Sequence, residues 1–106
     1  MVKINQPKTA RMFLRKSEQL LAERGAEYKG KGKEERSFEA IAVAFNAITG
    51  KDLTPAEVCL ILQLLKDVRQ WSNVRFHADS AEDAVTYAAL KAEELYRQFH
   101  DETTDS

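Results

Sequence analysis

The chain has 106 residues, of which 43% are hydrophobic and 31% charged, and its formal net charge is −1. This composition suits one globular domain and argues against intrinsic disorder. No apolar run reaches the roughly 20 residues that a membrane-spanning helix needs, and the first residues lack a signal-peptide pattern. Cys59 is the only cysteine in the sequence, which excludes an intrachain disulfide and a cysteine zinc site. We therefore expect a cytoplasmic protein.

The charges are unevenly distributed along the chain. Residues 1–53 contain eleven lysines and arginines against seven acidic residues, whereas residues 54–106 contain five against ten. The positive excess of the first half is too small for the basic stripe that nucleic-acid-binding proteins carry, so we expect no nucleic-acid partner. Self-association or a partner of mixed charge fits the asymmetry equally well.

Apolar residues recur with helical spacing in four segments, and no segment shows the alternation that is typical of a strand. The first helix is expected to start by Ala10 and to end near Gly25. The segment Tyr28–Lys33 combines two glycines with three lysines, and this composition predicts a loop. The second helix should end before Gly50, which suits the left-handed position after a helix.

The third helix has the clearest start. In Thr54-Pro55-Ala56-Glu57, the threonine and the glutamate can each bond the other's backbone N–H, and Pro55 presets the first helical turn. Apolar residues then cover about half of the circumference or more. One stripe of them is expected to be buried, namely Val58, Ile61, Leu62, Leu65 and Val68.

Three further apolar side chains of the third helix, Leu60, Leu64 and Trp71, widen this stripe. Short neighbouring helices cannot easily cover so wide an arc. We therefore expect these three residues to form the interface of a homo-oligomer, most simply a twofold dimer. The alternative is that the first helix covers them within one chain.

The fourth helix should start at Ser80, or at Asp79, because Ser80-Ala81-Glu82-Asp83 resembles a second capping box. Its buried face is expected to include Ala84, Ala88, Ala92, Leu95 and Phe99. Residues 101–106 form an acidic tail that should be disordered. The sequence thus predicts an all-α four-helix bundle with an apolar central third helix, in which residues 1–100 form a single domain.

Polar residues converge on the connection between the third and fourth helices, where two interpretations remain open. The cluster could be an ion pair that joins the helices, with Arg69 bound to Asp79 or Asp83. It could instead bind a phosphate-bearing ligand or a metal, since cations, carboxylates and a histidine come together there. The residues are Lys66, Arg69, His77, Asp79, Asp83 and Tyr87.

No familiar catalytic motif is present in the sequence, which favours a protein without enzymatic activity and without a cofactor. A metal-dependent alternative exists, because carboxylates on two helices of a bundle can hold Mg²⁺ and engage the phosphates of a nucleotide. The carboxylates with suitable positions are Glu35, Glu39, Asp79 and Asp83.

Three motifs of the chain are distinctive: the threonine–proline helix start, Leu64-Leu65-Lys66-x-x-Arg69, and His77-x-Asp79-Ser80-x-x-Asp83-x-x-x-Tyr87. With these motifs, residues 18–95 resemble a family of small phage and prophage proteins of unknown function. The resemblance implies a phage-encoded accessory protein in the cytoplasm of a bacterial host, which would bind a host protein, for instance of a defence system, or a small phosphorylated ligand. The helical layout is distantly similar to the MazG-like nucleotide pyrophosphohydrolases, which implies the Mg²⁺-dependent alternative.

Overall fold

The computed structural model describes residues 8–29 and 37–100, except for the side chains of residues 25–29. Four helices are present, α1 (Ala10–Lys29), α2 (Ser37–Thr49), α3 (Pro55–Trp71) and α4 (Ala78–His100). These ranges contain no strand, so the predicted all-α class is confirmed. None of the four helices is long and apolar enough to cross a membrane, within the part of the chain described. The predicted tail 101–106 lies outside the described residues.

Helix α1 extends further than the sequence pattern predicted. It continues through Gly25 and ends at Lys29, so the first two residues of the predicted loop are helical. The remainder of that loop lies outside the described residues. A glycine inside a helix costs only about 1 kcal/mol, and the alanines and glutamates on either side of Gly25 favour the helix.

The connection between α2 and α3 is fixed by two features. Gly50 follows α2 with φ of 71°, as predicted, and its N–H donates to the Asn46 carbonyl at 2.8 Å. The Asn46 side chain then bonds both backbone groups of Leu53, donating to its carbonyl at 2.9 Å and accepting from its N–H at 2.7 Å. One asparagine therefore positions the chain immediately before α3.

The predicted start of α3 is confirmed. Thr54 accepts from the Glu57 N–H at 3.2 Å, while the Glu57 carboxylate accepts from the Thr54 N–H at 2.9 Å. Pro55 occupies the first helical position, where its missing N–H has no partner to lose.

Helix α3 packs along α4, while α1 packs on α4 and α2 packs on α3. The core is small and is shared by α2, α3 and α4, with Leu21 of α1 at its edge. Its buried apolar members are Phe38, Ala42, Val58, Cys59 and Leu90. The short connection after α3 makes α3 and α4 antiparallel, so the start of α3 lies beside the last third of α4.

A buried hydrogen bond holds α1 on α4. The Thr86 hydroxyl donates to the Glu82 carbonyl at 3.1 Å, so it accepts from the Ser17 hydroxyl at 2.6 Å. Both side chains are buried, where an unpaired hydroxyl would be costly. Among the described residues α1 makes no contact with α3. The alternative in which the first helix covers Leu60, Leu64 and Trp71 is therefore wrong for this part of the chain.

The buried face of α4 also differs from the prediction. Ser80, Thr86 and Leu90 are its buried residues, whereas Leu95 and Phe99 are 40% and 65% exposed. Leu95 borders an open cavity beside the first turns of α3 and is not packed closely against that helix. The predicted burial of Ala92, Leu95 and Phe99 is therefore wrong.

Candidate functional site

The connection between α3 and α4 is held by the side chain of Gln70. Its amide nitrogen donates to the Arg75 carbonyl at 3.1 Å, and its amide oxygen accepts from the His77 N–H at 2.7 Å. Sequence reasoning did not single out Gln70. The available signal was a side chain with both a donor and an acceptor in the last turn before a polar connection.

His77 acts as the N-cap of α4, which begins at Ala78 rather than at Asp79 or Ser80 as predicted. Its Nδ1 accepts from the backbone N–H of Ser80 at 3.3 Å and lies 2.6 Å from the Ser80 hydroxyl. Ser80 is 1% exposed, so the residue predicted to cap the helix is instead buried under the histidine that does so.

The ion pair that joins α3 to α4 involves Lys66 rather than Arg69. The Lys66 ammonium lies 3.0 Å from the Asp83 carboxylate. Lys66 follows the buried Cys59 by seven residues, so it lies on the side of α3 that faces α4. Arg69 is rotated about 80° from that direction and is exposed. The prediction that Arg69 pairs with Asp79 or Asp83 is therefore wrong.

The six residues of the predicted polar cluster do not form one pocket. Their hydrogen bonds and ion pairs join only Lys66 with Asp83, and Asp79 is exposed like Arg69. Tyr87 lies at the edge of the core, where its ring packs edge-on against Phe38 and under the Arg24 guanidinium. The cluster therefore divides into an ion pair, a helix cap, a core tyrosine and two solvated charges.

The described residues do not bring together the ligands that the Mg²⁺ alternative requires. Within residues 8–29 and 37–100, no three His, Cys, Asp or Glu side chains come together in a way that could hold a metal ion. Glu35 lies outside the described residues. Glu39 is exposed in the first turn of α2, and Asp83 is bound to Lys66.

Replacing Lys66 with methionine should lower the free energy of unfolding by about 2 kcal/mol. The Lys66 and Asp83 side chains are 16% and 30% exposed, so the pair is neither fully buried nor fully exposed. A surface ion pair contributes less than about 1 kcal/mol, whereas disruption of a buried pair costs about 3–5 kcal/mol. Urea unfolding measures the difference. Arg69→Met, the matched control, removes an exposed cation and should cost under about 0.5 kcal/mol. Equal losses in the free energy of unfolding from Lys66→Met and Arg69→Met would contradict the assignment of Lys66 as the partner of Asp83.

A large apolar surface lies on the opposite side of α3. Six large apolar side chains, each 40% to 86% exposed, form a continuous face that points away from α4. We call this surface the α3 stripe. It consists of Leu60, Ile61, Leu64, Leu65, Val68 and Trp71.

The α3 stripe includes the three residues that the sequence predicted as an interface and three that it did not. Ile61, Leu65 and Val68 were expected to be buried with Val58, but only Val58 is buried. The helical periodicity of α3 was predicted correctly, but the side of the helix that faces the core was not. The described neighbours of α3, which are α2 and α4, leave this face uncovered.

An open cavity of ≈ 330 Å³ adjoins the α3 stripe, between the first turns of α3 and the end of α4. Its walls combine the apolar side chains of Leu60 and Leu95 with polar groups at the rim. The lining residues are Thr54, Ala56, Glu57, Leu60, Lys91, Leu95 and Gln98. Sequence reasoning did not anticipate this cavity, since it forms between helices that are distant along the chain.

The family model described as a domain of unknown function, DUF6378, matches residues 12–95. The chain belongs to this family. The matched region begins in α1 and ends in α4, so it includes the junction between α3 and α4 and the whole α3 stripe. No curated protein and no solved structure matches the chain.

Proposed function

We propose that this chain is a non-enzymatic interaction protein that works through the α3 stripe. The observation that supports the proposal is the size and continuity of this exposed apolar face. A contiguous apolar surface of several hundred square ångströms is rare on monomeric proteins in water and typically marks a binding surface.

Few other segments of the chain are available to cover the α3 stripe. Helix α1 is committed to α4, and α2 occupies the neighbouring side of α3. Segments 1–7, 30–36 and 101–106 contain only Met1, Val2 and Ile4 as large apolar residues. Three side chains are few against six of this size, which supports a cover from another chain.

The resemblance to phage and prophage proteins supports a specific setting for this function. The chain would be phage-encoded and would act in the cytoplasm of a bacterial host, where it binds a host protein, for instance a component of a defence system. Between a host protein and a phosphate-bearing ligand, the geometry favours the protein. Asp83 neutralises the Lys66 cation expected to hold a phosphate, whereas the apolar face suits a protein surface.

The purified protein should release no pyrophosphate from a panel of nucleotides in the presence of Mg²⁺. Turnover that depends on Mg²⁺ and disappears in Glu39→Ala and Asp83→Ala would overturn the proposal in favour of a MazG-like pyrophosphohydrolase. Glu93→Ala, on the exposed side of α4, is the matched control and should not change any activity observed.

Retention of a second chain by a tagged copy tests whether the α3 stripe is the binding surface. A tagged copy should retain a second chain, either an untagged copy of itself or a host protein, and Ile61→Glu should abolish this retention. Leu14→Glu places the same charge on α1, where Leu14 is 62% exposed, and should leave retention intact. Retention that survives Ile61→Glu would show that the α3 stripe is not the binding surface.

A further inference from the structure

We propose that a second copy of this chain covers the α3 stripe in an antiparallel twofold dimer. In this dimer, Trp71 of each copy fills the cavity beside Leu60 of the other. This inference rests on the proposed function and identifies a second copy of the chain as a partner of the same surface.

The area of the stripe matches a dimer interface. Six side chains that are 40% to 86% exposed present roughly 700 Å² per copy, close to the ~800 Å² that each partner contributes to an interface of standard size. A twofold dimer is self-complementary, so one apolar face buries another without requiring a second recognition surface. Such a face also has the apolar, aromatic character of an interface centre.

The helix macrodipole favours the antiparallel arrangement. Antiparallel α3 helices place the positive end of one macrodipole beside the negative end of the other, whereas parallel helices place like ends together.

The register places Trp71 over the cavity. Leu60 and Trp71 are eleven residues apart, which is close to three full turns, so they lie on the same flank of the stripe. With the twofold axis near Leu64, residue 71 of one copy lies opposite residue 57 of the other. A twofold axis that relates two facing antiparallel helices keeps each flank on its own side, so Trp71 meets the flank that contains Leu60 and the cavity.

The cavity has the chemistry that an indole ring requires. Leu60 and Leu95 provide apolar walls, and the Gln98 amide oxygen at the rim can accept the indole N–H. Lys91 provides a cation that can lie over the ring. Trp71 is 86% exposed in the single chain, the highest fraction in the stripe, and it gains the most from a partner.

Energy transfer between two differently prepared copies tests this geometry. The donor copy keeps Trp71, which is the only tryptophan. The acceptor copy carries Trp71→Phe and one fluorescent label, attached either at Ala92→Cys beside the cavity or at Ser72→Cys at the end of α3. Both labelled positions are exposed, and the native Cys59 is buried and therefore unreactive. Every signal then arises between copies.

We expect much stronger quenching of Trp71 by the label at residue 92 than by the label at residue 72. In the antiparallel dimer Trp71 lies next to the first label and about 20 Å along the helix axis from the second. Stronger quenching from residue 72 would indicate parallel helices and overturn the inference, while the proposed function would stand. A mixed dimer without quenching from either label would overturn both, because the copies would then associate away from the stripe.

If no mixed dimer forms, the Trp71 emission of the monomers distinguishes two outcomes. If monomers show water-like Trp71 emission, the stripe belongs to a different protein, and the inference alone is overturned. If monomers show blue-shifted emission, the chain covers its own stripe, and both the inference and the proposed function are overturned.

Discussion

Replacing Leu64 with glutamate should leave the helices intact and convert the protein to monomers. Leu64 is 49% exposed in the single chain, so the monomer can keep the new carboxylate in water. In the dimer, two carboxylates would meet at the twofold axis within an apolar interface, without a cation to pair with them. Burial of unpaired charge at this position should weaken association at least about 1,000-fold, or roughly 4 kcal/mol.

Size-exclusion chromatography across a range of protein concentrations measures this loss, and circular dichroism verifies that the helices persist. Leu14→Glu on α1 is the control, since it adds the same charge to an exposed leucine outside the stripe. It should leave association unchanged. If Leu64→Glu remained as associated as the unmodified chain, α3 would not lie at the axis.

The largest effect on folding should come from Phe38. This ring is 3% exposed, belongs to the core shared by α2, α3 and α4, and packs edge-on against Tyr87 at a centroid distance of 6.5 Å. Phe38→Ala should lower the free energy of unfolding by about 3–4 kcal/mol, because it removes a buried ring and leaves a cavity in a small core.

Phe45→Ala provides a matched control on the same helix. The Phe45 ring is 39% exposed and lies outside the core cluster, so its removal should cost less than about 1.5 kcal/mol. Urea unfolding at one fixed chain concentration compares the two variants, because an associating protein gains stability with concentration. A loss from Phe45→Ala as large as that from Phe38→Ala would show that the core extends along α2 as far as Phe45, contrary to the structure.

The starts of the two long C-terminal helices show what local sequence can predict. The capping box at Thr54 and Glu57 is complete within four residues, so the sequence located α3 accurately. The start of α4 was missed because Ser80 has the sequence features of a cap but is buried, and His77 provides the cap instead. Burial of Ser80 depends on packing that no short motif encodes.

The α3 stripe shows where periodicity alone fails. Since apolar residues occupy more than half of α3, the pattern could not determine which half faces α4, and it placed Ile61, Leu65 and Val68 inside. The side that faces α4 depends on the packing of α3 against α2 and α4, which joins residues distant along the chain. The same rotation of α3 determines that Lys66, rather than Arg69, reaches Asp83.

We propose that a second copy of the chain covers the α3 stripe, and sedimentation equilibrium of the unmodified protein at micromolar concentration tests this proposal. We expect a species of about 24 kDa, twice the 12.0 kDa of one chain, with blue-shifted Trp71 emission that shifts to the red on dilution. A species that stays at 12.0 kDa at every concentration, with Trp71 emission independent of dilution, would contradict it.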